Sequence, residues 1–146
     1  MAKFVYRMQN ILDIKLKLES QAKITYSLAA QQHAQEQQKL QDLMVRRMHY
    51  EKRLRDMMEG PLDVKAIHNA KADVTMIKTL VRAQTIKTRR AEAQMNDARR
   101  ALNEVMQERK IQEKLREKAF EEFKREIAAS EAKEIDELVS YTYNGK

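Results

Sequence analysis

The chain has 146 residues, of which 35% are charged and only 5% aromatic, with a mean hydropathy of -0.77. So little bulky apolar material argues against an ordinary compact core, and the absence of cysteine rules out disulfides and thiolate metal sites. The net charge of +7 favours an acidic partner, although 22 acidic residues interspersed among 29 basic ones also describe a solvated basic face.

Helix formers dominate the chain, and periodic apolar positions with almost no glycine or proline favour helix over disorder. The start, Met1-Ala2-Lys3-Phe4-Val5-Tyr6-Arg7, is not a signal peptide, because charged and polar residues interrupt its apolar run. No stretch approaches the ~18 apolar residues that cross a bilayer. The lack of cysteine fits a reducing cytosol.

The first arm is expected to be helical from about 4 to 58. Its apolar residues recur at helical spacing: Phe4, Met8, Ile11, Leu18 and Ala22, with Val5, Leu12 and Leu16 as a second line. Beyond Ala22 the seam turns small and polar through Tyr26, Ala29 and His33, within a glutamine-rich stretch. Large side chains return at Leu40, Leu43, Met44, Met48, Tyr50, Leu54, Met57 and Met58. The three histidines, His33, His49 and His68, are scattered and form no metal-binding pattern, so they read as seam or surface residues.

A bend follows at 59–63. Gly60-Pro61 combines the residue that readily takes positive φ with the one that cannot continue a helix. Asp63 is placed to accept from the free N–H groups opening the next helix. The second arm, expected from about 64 to 139, carries a cleaner repeat. Ile67, Ala70, Val74, Ile77, Val81, Gln84, Thr88, Ala91, Met95, Ala98, Leu102 and Val105 alternate by three and four, the heptad signature of left-handed coiling. Arg109, Gln112 and Arg116 then occupy the same register, so the seam is expected to weaken or shift toward Ile111 and Leu115. Ala119, Phe123 and Ile127 resume an apolar face, and residues 140–146 are expected to fray.

The fold predicted is all-α: one antiparallel coiled-coil hairpin domain, its second helix the longer. Folding about Gly60-Pro61 sets Leu40 and Leu43 against Leu80 and Ile77, Ala29 against Ala91, Ala22 against Ala98 and Leu18 against Leu102. Large meets large and small meets small, which favours the hairpin over intermolecular pairing of extended helices.

Chemistry is conspicuously thin. With glycine only at 60 and 145, neither a P-loop nor a dinucleotide-binding loop can form, and serines 20, 27, 130 and 140 are isolated. A two-helix rod has no pocket that excludes water, so no enzyme activity and no cofactor are expected. Two apolar surpluses remain. One lies near the bend, where Met76, Leu80 and Ala83 flank the seam and the other arm adds Met44, Met48 and Tyr50; it reads either as a partner-binding patch or as a broad seam. The other joins the first residues, Phe4 to Leu16, with Phe120, Phe123 and Ile127. It suits a further contact or the mutual packing of the two helix ends.

Phe4-Val5-Tyr6-Arg7-Met8-Gln9-Asn10-Ile11-Leu12-Asp13-Ile14-Lys15, followed by Glu19, resembles the opening F-x-[FY]-R-[LM]-Q-x-[IVL]-L-D-[ILV]-[RK]-x-x-x-E of the FliJ family of the bacterial flagellar export apparatus. Length, central bend and basic balance agree along essentially the whole chain. The resemblance implies a stalk-like coiled coil that enters the export ATPase ring by its terminal end and engages the cytoplasmic domain of the export gate nearer the bend, with export chaperones as further partners. It implies a cytoplasmic protein, peripheral at the inner membrane at the flagellar base. Carried over, Phe4, Met8 and Ile11 with Phe120 and Phe123 face the ATPase, and Leu43, Tyr50, Met76, Leu80 and Ala83 face the gate. The rival readings are a generic coiled-coil chaperone or scaffold and a basic coiled-coil nucleic-acid binder. The latter predicts a steep salt dependence, but Glu92 and Asp97 interrupt its basic run.

Overall fold

The computed structural model describes residues 2–144, and two helices make up nearly all of them: α1, Gln9–Met57, and the longer α2, Val64–Asn144. They pack together as an antiparallel helical hairpin joined by the bend at 58–63. The backbone explains the bend. As α1 ends, the N–H groups of Met58 and Glu59 tighten onto the carbonyls of Arg55 and Asp56 at 3.1 and 3.2 Å. Gly60 then takes φ 89°, a conformation a Cβ would oppose. Asp63 caps α2 as its position suggests, its Oδ1 accepting from the Ala66 N–H at 3.2 Å.

Two helix limits differ from the expectation. The first helix starts at Gln9, not near 4, because residues 2–6 leave the helical path and the Phe4 ring lies on two phenylalanines of α2. The second helix continues past Val139 to Asn144, since no helix breaker intervenes before Gly145. Gly145 and Lys146, the end of the expected frayed tail, lie outside the described residues.

The chain divides into two compact units, Ala22–Leu102 and the segments 1–21 with 103–146. In the first, α2 buries Ala70, Val74, Ile77, Val81, Gln84, Thr88 and Ala91, every one on the expected heptad line. Ile77, at 0% exposure, is its best-sealed side chain, and burial of that kind stabilises by roughly 1.5–3 kcal/mol. Across from them α1 contributes Glu36, buried, with Ala29, His33, Leu40 and Leu43 half-buried.

In the second unit the seam departs from the sequence reading. Leu12 and Glu19 are buried and Lys15 half-buried, while Met8, Ile11 and Leu18 are exposed. The helical stripe is therefore turned by about one residue from the most apolar line. On α2 the expected shift toward Ile111 and Leu115 does not occur; these are 58% and 42% exposed. Arg109 and Gln112 hold the seam because each finds a partner there. Arg109 pairs with Glu19, and the Tyr6 hydroxyl donates to Gln112 Oε1 at 3.3 Å. Side chains lean toward the N-terminus of their own helix. In an antiparallel pair, long side chains such as Glu19 and Arg109 thus meet although their backbones stand several residues past opposition.

Candidate interaction surfaces

The unit containing both chain ends carries an aromatic cluster. Phe4 meets Phe120 edge-on, centroids 5.1 Å apart at 69°, and Phe123 at 5.4 Å. Such pairs contribute about 0.5–1.5 kcal/mol beyond area burial, and they explain why the chain before α1 is pinned rather than free. The Arg116 guanidinium lies 5.5 Å from the Phe4 ring centre and the Lys124 ammonium 4.7 Å from that of Phe120. Arg116 also donates to Gln9 Oε1 at 3.0 Å, tying the first turn of α1 to α2. Phe4, Tyr6, Met8, Ala119, Phe123 and Glu126 line an open groove beside the cluster. Of the five residues expected to face an ATPase, then, Phe4, Phe120 and Phe123 touch, Met8 borders their groove, and Ile11 stands exposed on α1.

Beyond Ile127, α2 is exposed on every side as far as Tyr143. Ile135, Leu138 (65% exposed), Val139, Tyr141 and Tyr143 project from this stretch, among Glu131, Glu134, Asp136 and Glu137 with Lys133 as the one basic residue. Its acidic character is opposite to that of the chain as a whole.

The unit containing the bend presents a different surface. Met76, Leu80 and Ala83 stand at i, i+4 and i+7 on α2 and are all exposed. Met44, Val45 and Met48 are exposed on α1, while Leu43 and Tyr50 are half-buried. Arg46 Nη2 donates to the Tyr50 hydroxyl at 3.4 Å, holding the ring's polar end at the surface. The Arg47–Glu51 pair at 3.0 Å lowers the pKa of Glu51, chiefly through the hydrogen bond from Arg47. Arg82, Lys87, Arg89, Arg90, Arg99 and Arg100 are exposed along α2. Arg100 pairs loosely with Asp97 at 3.9 Å.

Two buried polar arrangements were not legible as functional or structural sites from composition. Arg109 clasps Glu19 through Nε at 2.6 Å and Nη2 at 3.1 Å, and Glu113 through Nη1 at 2.9 Å, which raises its pKa. Gln84 donates to Glu36, whose pKa is lowered mainly by that bond. The available signal was spacing: Glu19, His33 and Glu36 fall on the same three-and-four line as Leu12 and Leu40. His33 is half-buried, with Nε2 buried and unbonded, whereas His49 and His68 are exposed. Among the described residues no group of histidine, cysteine and carboxylate side chains could hold a metal ion. Nor, among these residues, is any helix long and apolar enough to cross a membrane.

A hairpin of two long helices packed along a heptad seam belongs to the class of coiled-coil proteins. The family model described as Flagellar FliJ protein matches residues 4–146, and the chain belongs to the FliJ family. It is thus a component of the flagellar export apparatus, in a family that is non-catalytic. No curated protein and no solved structure matches it.

Proposed function

We propose that this chain acts as the stalk of the export apparatus, its terminal unit set in the export ATPase ring and its bend-side unit meeting the cytoplasmic domain of the export gate. The observation that carries this reading is the terminal unit's aromatic cluster of Phe4, Phe120 and Phe123, continued by an α2 segment that has no helix beside it. A shaft needs a protruding, pinned end of this kind. The exposed Met76–Leu80–Ala83 line supplies an apolar surface for the gate, and the neighbouring arginines would steer an acidic partner onto it. Export chaperones are further partners in this reading. The protein would work in the cytoplasm, peripheral at the inner membrane at the flagellar base.

The test is stimulation of the purified export ATPase by this chain. Faster hydrolysis together with ring binding supports the stalk. No response and no binding would leave the scaffold reading in its place.

A further inference from the structure

The alanine stretch of the Ala22–Leu102 seam is poorly suited to define its own alignment. Ala22 and Ala29 on α1 and Ala91 and Ala98 on α2 recur at heptad spacing, so sliding one helix by a heptad again sets alanine against alanine. One set of residues breaks this degeneracy. The backbone carbonyl of Glu36 accepts from Gln84 Nε2 at 3.1 Å and from Thr88 Oγ1 at 3.2 Å. The Glu36 carboxylate accepts from the same Gln84 nitrogen, from Gln32 Nε2 at 3.0 Å and from Lys39 Nζ at 3.5 Å. Glu36, Gln84 and Thr88 are all buried.

We propose that Glu36, Gln84 and Thr88 form a register clamp, which selects one alignment of α1 against α2 and rejects those a heptad away. Displacement in one direction puts Ile77 and Val81 where Gln84 and Thr88 now stand; in the other it puts Ala91 and Met95 there. None of these four side chains can donate a hydrogen bond. Glu36 would then keep a buried charge without its cross-helix donor, a cost that packing against an apolar neighbour cannot offset. A single buried polar layer sets register in this way because its cost is much larger in the wrong alignments than in the right one. The clamp holds whether or not the protein serves as a stalk.

The chain contains no cysteine, so introduced pairs report without background. Ala29→Cys with Ala91→Cys, and Ala22→Cys with Ala98→Cys, probe the observed alignment. Ala29→Cys with Ala98→Cys, and Ala22→Cys with Ala91→Cys, probe the two displaced ones. Oxidation with diamide, scored on the monomer band, should close the first two pairs and leave the displaced pairs open. Replacing the clamp by Glu36→Leu, Gln84→Leu and Thr88→Val should speed closure of the displaced pairs by roughly tenfold or more. A second variant moves the donors one heptad along, through Gln84→Ala, Thr88→Met, Ala91→Gln and Met95→Thr. It should transfer closure to the pair at 29 and 98, and it decides the matter even if the apolar variant associates or unfolds. Displaced pairs that close equally fast with the native clamp, or a relocated donor set that leaves 29 and 98 open, would overturn the proposal.

Discussion

Arg109 reaches across the terminal unit and binds both carboxylate oxygens of Glu19, at 2.6 and 3.1 Å, from a seam position where the repeat would ordinarily place an aliphatic residue. Glu19 is buried, and that fork supplies its carboxylate with two charge-assisted hydrogen bonds. Removing Arg109 takes this pair of charge-assisted bonds from a buried carboxylate, whereas removing both side chains leaves an apolar layer. Arg109→Leu should therefore lower Tm more than the double change Glu19→Leu with Arg109→Leu, which should melt near or above the native chain. Thermal unfolding followed by helicity checks the order of the variants. A double variant less stable than Arg109→Leu would contradict this account.

The acid limb of stability should carry the mark of two carboxylates. Glu36 and Glu51 are both held below the ordinary glutamate value of 4.5, by the bonds from Gln84 and Arg47 respectively. A depressed folded-state pKa means that protons bind the unfolded chain more readily. The stabilisation from these groups is thus fully present above about pH 4.5–5 and is lost as pH falls through their lower folded values. Tm should be nearly flat from neutrality to pH 5 with respect to these groups, then fall. In Glu36→Gln the fall should be shallower, and an unchanged acid limb would remove Glu36 from this role.

Ile77 offers the plainest packing test, being fully enclosed in the bend-side unit. Ile77→Ala should destabilise by about 2–5 kcal/mol and Ile77→Val by about 0.5–1.5 kcal/mol. Urea titrations at constant m would read both values. Leu80→Ala, by contrast, changes an exposed side chain and should stay within about 0.5 kcal/mol of the native chain.

At the bend, Gly60 has open space around the position of a Cβ, so a substitution there is penalised by backbone conformation alone. Gly60→Ala should cost about 1–2 kcal/mol, the left-handed penalty of an L-residue. Asp63→Ala should cost about 1 kcal/mol through the lost cap on Ala66. Denaturant melts of each variant and of the pair test whether the two effects add.

For function, the two surfaces should fail separately. Phe4→Ala with Met8→Ala removes the aromatic anchor and the lip of its groove and should weaken ATPase binding while sparing the gate. Leu80→Glu puts a charge on the exposed apolar line and should weaken gate binding while sparing the ATPase. Pull-downs or calorimetry with each purified partner decide it, with helicity as the control. Equal loss of both partners in either variant would show that the two-surface division is mistaken.

The hairpin was readable because its causes are local. Gly60, Pro61 and Asp63 act through their own backbone and side-chain geometry, and the line from Ile67 to Val105 is a periodicity held within one segment. The motif beginning at Phe4 likewise pointed to the FliJ family, which the match over residues 4–146 shows. What the chain could not reveal by itself was which polar residues the seam would accept. Hydrophobicity favoured Ile11 and Leu18 and disfavoured Glu19 and Arg109, yet the latter pair occupies the interior. A charge is tolerated there only when its counterpart, distant along the chain, arrives at hydrogen-bonding distance, and that is a property of the folded pair. The same holds for Glu36, the partner of Gln84, and for Phe4, which leaves the helical path because Phe120 and Phe123 are there to receive it. Backbone preference and periodicity thus made the two helices and the buried line of α2 from Ala70 to Ala91, and tertiary contact chose the seam of the terminal unit.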